Sequence, residues 1–349
     1  MTKRLIVVYG IAMIGGVLFY FLKIPLPWVL GPVTSLVLYK FLFNKPTTSS
    51  NGLKQVSFVL LGMQIGLSFQ ENSLSLMGPY ILPYVLCSIV LITISLVNGY
   101  LVSRWINVDT DTSLLGSIPG GLSATIALSD SMKSNTVLVT IFHSIRLVAV
   151  LFIVPFLAAQ LMRKGDTAST SFVAPSENGD VSTVFLYVVA YGLAYVTRRG
   201  VPASFVIFPV IFIAVGKALG ISMYVPPDIF FLAAQLTLGV YLGDSIHVKD
   251  IQNAGKYCVI YFGLSIWLII VSFGIGYIFS EMVGLSLATA ILSVAPGGMV
   301  EMALTAQTVG GDPAVVSSLQ MIRLLLVVVV VPIALKWIIQ HREPATQSS

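Results

Sequence analysis

The sequence predicts an all-α polytopic membrane protein of two inverted-topology repeats, each with about five transmembrane helices and one re-entrant hairpin kinked at Pro-Gly-Gly. Three observations carry that prediction. Hydrophobic residues make up 56% of the chain and charged residues 9%, against roughly 25% charged in a soluble domain. The rarer, conformationally demanding residues recur at a constant offset of 177 positions. A short polar Pro-Gly-Gly segment interrupts each copy near its end.

The offset pairs Pro25 with Pro202, Pro32 with Pro209, Pro119 with Pro296, Pro155 with Pro332 and Arg146 with Arg323. Chance would align well under one pair of prolines. Gly15, Gly62, Gly66, Gly78, Gly99, Gly120 and Gly121 have glycine partners at the same spacing. Leu or Val matches would prove nothing in so apolar a chain, whereas Pro and Gly mark bends and close approaches of the backbone. Repeat 1 is read as residues 1–163, a polar linker as 164–180, repeat 2 as 181–340 and a short polar tail as 341–349.

Apolar runs at 5–22, 26–43, 54–69, 79–103 and 136–162 are followed by runs at 182–197, 203–219, 229–246, 257–280 and 314–339. Each approaches the ~20 residues that cross a bilayer as a helix. Lys3-Arg4 before the first run imitates a signal peptide, but the counterpart run at 182–197 is internal, so the first is read as a retained helix. Cys87 and Cys258 lie in apolar runs without metal or disulfide spacing and read as core thiols.

Positive residues orient each copy, because they tend to stay on the cytoplasmic side. In copy one they sit at the N-terminus (Lys3, Arg4), the second loop (Lys40, Lys45, Lys54) and the fourth (Arg104), with Glu71 in the third. In copy two the pattern shifts by one loop: Arg198 and Arg199 in the first, Lys249 and Lys256 in the third, Glu281 in the fourth. The copies therefore face opposite ways, with an odd number of crossings each and both termini in the cytoplasm. Lys23, Lys217, Arg163 and Lys164 fall on the wrong side of this scheme.

The segments Ser113–Ser131 and Ala290–Thr308 are too small and polar to face lipid, and Pro-Gly-Gly would break each into two half-helices. Such backbone at membrane depth must be buried in protein or line a watery cavity, as in secondary transporters. The half-helix after each kink offers unpaired N–H groups and a positive dipole end to an anion. Candidate substrate-binding groups are Gly120, Gly121, Ser123 and Thr125 in copy one, and Gly297 and Gly298 in copy two. The plainer alternative is a tight turn in each copy.

The next helix carries a polar stripe, Thr140, His143 and Arg146 in copy one and Ser317, Gln320 and Arg323 in copy two, of which Thr140, Arg146, Ser317, Gln320 and Arg323 are further candidates for substrate binding. The i, i+3, i+6 spacing puts each trio on one face. An arginine near the bilayer centre costs at least ~2.5 kcal/mol on insertion scales, which leaves two roles: binding a substrate carboxylate, or clamping hairpin carbonyls. His143 is read as either a hydrogen-bonded core residue or a coupling group. Glu301, where copy one has Ala124, either caps its own helix or couples transport to H+ or Na+. Nucleotide, zinc and nucleophile-elbow motifs are absent, so neither an enzyme nor a cofactor is expected, and no basic run suits nucleic acid.

These motifs, with the proline-framed second helices (IPLPWVLGP and VPASFVIFP), resemble the AbrB family of bacterial membrane proteins over essentially the whole chain. Family members often carry an acidic residue after the glycines in both copies; here Ala124 departs from that pattern. The arrangement is also similar to the sodium-coupled citrate and glutamate symporters, whose inverted repeats carry Gly-rich re-entrant hairpins. The resemblance implies an inner-membrane secondary transporter of a small anionic solute, with a homodimer following by analogy alone. Competing classes are a membrane sensor acting on gene expression through a partner, as family labels suggest, and a channel.

Overall fold

The computed structural model describes residues 2–70, 77–106, 108–119, 129, 134–162, 181–198, 200–201, 203–246 and 255–340. The 164–180 linker, the 341–349 tail and the first Pro-Gly-Gly hairpin beyond Pro119, including Gly120, Gly121, Ser123 and Thr125, lie outside these residues. Thirteen α-helices and one 3-10 turn are formed among them. Copy one contributes α1 (Thr2–Phe21), α2 (Pro27–Phe43), α3 (Asn51–Leu67), α4 (Gly78–Ile106), α5 (Thr110–Ser117) and α6 (Thr136–Met162). Copy two contributes α7 (Val184–Thr197), α8 (Ser204–Ala218), α9 (Asp228–Ser245), α10 (Lys256–Val283), α11 (Leu287–Val294), α12 (Met299–Val309) and α13 (Pro313–Gln340).

The protein is a multi-pass membrane protein. Helices α1, α4, α6 and α10 are long and apolar enough to cross a bilayer, and α2, α7, α8 and α13 add shorter apolar stretches. Their outer surfaces are apolar: Ile14 is 71% exposed, Phe21 75% and Val259 74%. The polar side chains Ser88, Ser95, Thr112, Ser113, Arg146, Thr289, Ser317 and Arg323 are buried instead. That distribution fits a chain whose outer solvent is lipid.

Local chemistry sets the helix ends, and it does so twice. Asp109 caps α5 by accepting from the Thr112 N–H at 3.1 Å, and Ser286, its equivalent, caps α11 by accepting from the Thr289 N–H at 3.3 Å. Leu26 before α2 and Ala203 before α8, again 177 apart, both take the left-handed conformation. Proline then ends α5 and α11. A residue before proline is pushed out of the helical region, and Ile118 (φ −61, ψ 125) and Ala295 (φ −51, ψ 137) are extended.

The helices group by position within the copy rather than by copy. α1, α2 and α3 pack with α7, α8 and α9 in one bundle, whereas α4, α5 and α6 pack with α10, α11, α12 and α13 in a second. The two bundles meet where α3 lies against α12 and α13.

Contacts inside each bundle are reciprocal. Gly62 of α3 sits on α8, where a Cβ would stand 2.7 Å from the Val206 carbonyl oxygen; Gly239 of α9 sits on α2, 2.6 Å from that of Val29. Gly62 and Gly239 are equivalents at the 177 offset, as are Val29 and Val206. Lys40 donates to the carbonyls of Gly243 (2.9 Å), Asp244 (2.7 Å) and Ile246 (3.0 Å), and its equivalent Lys217 donates to Leu67 O at 2.6 Å. Lys217, on the wrong side by loop charge, and Lys40, counted there as a loop charge, are thus a matched pair spent on helix C-termini. Asp244, near a helix end, is also committed: it accepts from Thr47 Oγ1 (2.5 Å) and the Ser49 N–H (2.9 Å) and lies 3.9 Å from Lys40 Nζ.

In the second bundle α4 packs directly on its equivalent α10. Tyr84, in the second turn of α4, meets Phe279 near the end of α10, their rings 5.8 Å apart. Tyr261, in the second turn of α10, clusters with Val102 and Ile106 at the end of α4. α4 and α10, equivalent at the 177 offset, therefore run antiparallel.

Candidate functional site

The broken segments create an accounting problem that the following helix solves. When proline ends α5 and α11, the last carbonyls of each short helix lose their intrahelical donors. In copy two, Arg323 Nη1 donates to Val294 O (3.1 Å) and Ala295 O (2.5 Å), and Nη2 donates to Gly297 O (2.6 Å). Gln320 adds Nε2 bonds to Leu292 O (2.8 Å) and Ala295 O (3.1 Å), while its Oε1 accepts from Arg323 Nη2. A cation at a helix C-terminus also suits the dipole. Charge-assisted bonds of this kind are worth about 1.5–3 kcal/mol each.

Copy one repeats the device. Arg146 Nη1 donates to Ile118 O and, at 3.5 Å, to Ser117 O. His143 Nε2 lies 3.2 Å from Leu115 O, and its Nδ1 is 2.7 Å from Arg146 Nη2. A guanidinium cannot accept, so Nδ1 is the acceptor and Nε2 carries the hydrogen that donates to Leu115 O. His143 thus reproduces the acceptor-plus-donor pattern of the Gln320 amide.

Of each polar stripe, the two members nearer the arginine end face the break. Thr140 and Ser317 instead donate to their own helices, at Thr136 O (2.8 Å) and Ala314 O (3.0 Å). Both arginines begin ten residues into their helices, from Thr136 and from Pro313.

After the second kink, Gly298 is extended at the N-cap of α12 and no side chain caps that end by hydrogen bonding. Glu301 folds back over it, so that its carboxylate fills the space a Cβ on Gly298 would need. Among the described residues no basic side chain lies within ion-pair distance of Glu301. The arrangement is an internal carboxylate resting on the positive end of a half-helix.

Two residues escaped the sequence reading. Tyr84 Oη donates to Ser293 O at 3.0 Å and Tyr261 Oη to Ser113 Oγ at 2.5 Å, tying each long helix to the short helix of the opposite copy. They are 177 apart, as are the buried pairs Ser88 and Ser265, and Ser95 and Ser272. The offset would have revealed them had it been applied to aromatic and hydroxyl residues. The halves also differ: a small cavity beside Arg146 is lined by Ser95, Asn98, Ser117 and Tyr261, and Asn98 has Ile275 as its counterpart.

Comparison with known proteins places these features in a family. The chain is 26% identical over 296 residues to the uncharacterized protein YhjN of Bacillus subtilis (strain 168), covering 78% of this chain and 75% of that one. Residues 28–339 match the family described as "Transition state regulatory protein AbrB", and the chain belongs to that AbrB family.

Proposed function

We propose that the protein is a secondary transporter of the bacterial inner membrane, with both termini cytoplasmic, that moves a small carboxylate-like anion by alternating access. The observation that carries this reading is the α11–α12 break: a half-helix N-terminus, two glycines and an internal carboxylate gathered within a bundle that abuts a second bundle. Antiparallel equivalent helices supply the inverted relation on which alternating access is commonly built.

In this mechanism Arg146 and Arg323 hold the half-helices in register, and the backbone N–H groups near Gly297 and Gly298 receive the solute carboxylate. Gly120, Gly121, Ser123 and Thr125 serve the same purpose in copy one. Glu301 occupies the α12 N-terminus when solute is absent. Neutralising Glu301 with a proton or a sodium ion frees that end for the solute, so ion and anion bind together. His143 takes no part in coupling.

The test is thermal stabilisation of the detergent-purified protein against carboxylates, amino acids and inorganic anions, with and without sodium and across pH, followed by uptake into liposomes. A ligand at ~100 times its Kd adds about 2.7 kcal/mol when it binds only the folded state. Glu301→Gln is expected to fold and bind solute without ion dependence. Absence of saturable uptake together with stoichiometric copurification of a regulator would favour a regulatory role, the word that the family description uses.

A further inference from the structure

The seam between the two bundles carries one polar link among the described residues. Gln64 of α3 donates through Nε2 to Gln307 Oε1 of α12 at 3.0 Å. Other side-chain hydrogen bonds between helices among the described residues stay within one bundle, as at Tyr9 with Thr237, Lys40 with Gly243, Tyr84 with Ser293 and Tyr261 with Ser113. Around the amide pair the seam is apolar: Leu61 and Ile65 of α3 share a core cluster with Ala303, Leu304 and Leu319.

The link is incomplete in a specific way. Gln64 Oε1 and Gln307 Nε2 are both buried without a partner. Turning both amides over would keep one bond and again strand one donor and one acceptor, so the deficit does not depend on which amide atom is oxygen. Each stranded buried group carries an uncompensated desolvation penalty, and both atoms are shut off from solvent. A resting interface selected only for stability would have apolar side chains here, since replacing both partners of a buried pair is close to neutral or stabilising. The half-made bond weakens this position of the seam relative to one filled by apolar side chains, so the parent leaves it more readily than an all-apolar seam would.

We infer that the Gln64–Gln307 pair is a latch between two positions of the α4–α6/α10–α13 bundle against the α1–α3/α7–α9 bundle. The structure captures one position; in the other the two amides part and regain partners. The inference rests on the transport reading only for its consequence in uptake, because the sliding itself has a separate readout.

The experiment compares the parent with Gln64→Leu/Gln307→Leu, in a background with Cys87 and Cys258 replaced by Ala. Spin labels are placed at Val56→Cys on α3 and Thr308→Cys at the end of α12, both exposed. Two label separations are expected in the parent and one in the Leu/Leu variant, which should be at least as heat-stable as the parent. In liposomes the same variant should show uptake reduced tenfold or more. Two separations with no uptake of any tested solute would support the latch and count against the transport reading. One separation in both proteins, or a Leu/Leu variant that unfolds earlier than the parent, would overturn the latch, the latter by showing that the amides are a stabilising contact.

Discussion

At the scale of single residues, the equivalence of His143 and Gln320 is the sharpest consequence of the duplication. Each accepts from an arginine and donates to the carbonyl four residues before the breaking proline. A side chain whose counterpart is a non-titrating amide is doing an amide's work. His143→Gln should therefore leave thermal stability and pH dependence of uptake unchanged; a lost or displaced pH profile would restore His143 as a proton carrier. Arg323→Ala should behave differently. It strips the donor from Val294 O, Gly297 O and the Gln320 amide oxygen, while Ala295 O keeps its bond from Gln320, and at about 1–3 kcal/mol for an unsatisfied buried group the loss should exceed ~3 kcal/mol and lower the melting temperature in detergent. Arg323→Lys, with one ammonium in place of a planar fork, should recover only part of it. A normally stable, normally transporting Arg323→Ala would show that the clamp is dispensable. The sequence revealed the arginines through their cost in lipid, but it left clamp and ligand open, since that choice depends on where the proline-ended half-helix leaves its carbonyls.

At the scale of elements, the close approaches of α3 to α8 and of α9 to α2 depend on glycine. Gly62→Ala places a methyl 2.7 Å from the Val206 carbonyl oxygen, and that neighbour is backbone. Overpacking of this kind costs about 1–3 kcal/mol, so Gly62→Ala and Gly239→Ala should each lower the melting temperature, by similar amounts because the contacts are reciprocal. Ala203→Gly should do the opposite. Ala203 is exposed and held at φ 52, where an L-residue loses about 1–2 kcal/mol that glycine does not, so the change should raise the melting temperature. An unchanged value would mean that the unfolded state gains as much from glycine as the folded state. Helix positions were legible in the sequence to within a few residues, as in 136–162 for α6 and 257–280 for α10. Apolar length and proline govern those ends. The grouping into two mixed bundles was not legible, because periodicity along one helix says nothing about which distant helix receives its glycines.

At the scale of the whole molecule, loop charge and packing independently set α4 and α10 antiparallel. Loop charge put Arg104 on the cytoplasmic side and Glu281 on the other. Packing puts the ends of α4 and α10 at opposite faces, because Tyr84 meets Phe279 while Tyr261 meets Ile106. Lys40 was counted for the charge argument and Lys217 against it. Both are drawn to helix C-terminal carbonyls at symmetric sites, and a lysine engaged by such carbonyls carries little information about the side of the membrane. Arg104 and Glu281 are better reporters, since both are exposed and they stand 177 apart at the ends of equivalent helices. Single cysteines at the two positions, in a background without Cys87 and Cys258, should react with a membrane-impermeant maleimide from opposite sides: Arg104→Cys only in inside-out vesicles, Glu281→Cys only in intact spheroplasts. Labelling of both from one side would contradict the antiparallel packing of α4 and α10 across a bilayer. Opposite-side labelling with Glu281→Cys on the cytoplasmic face would keep that packing and reverse the whole protein, moving both termini to the outside.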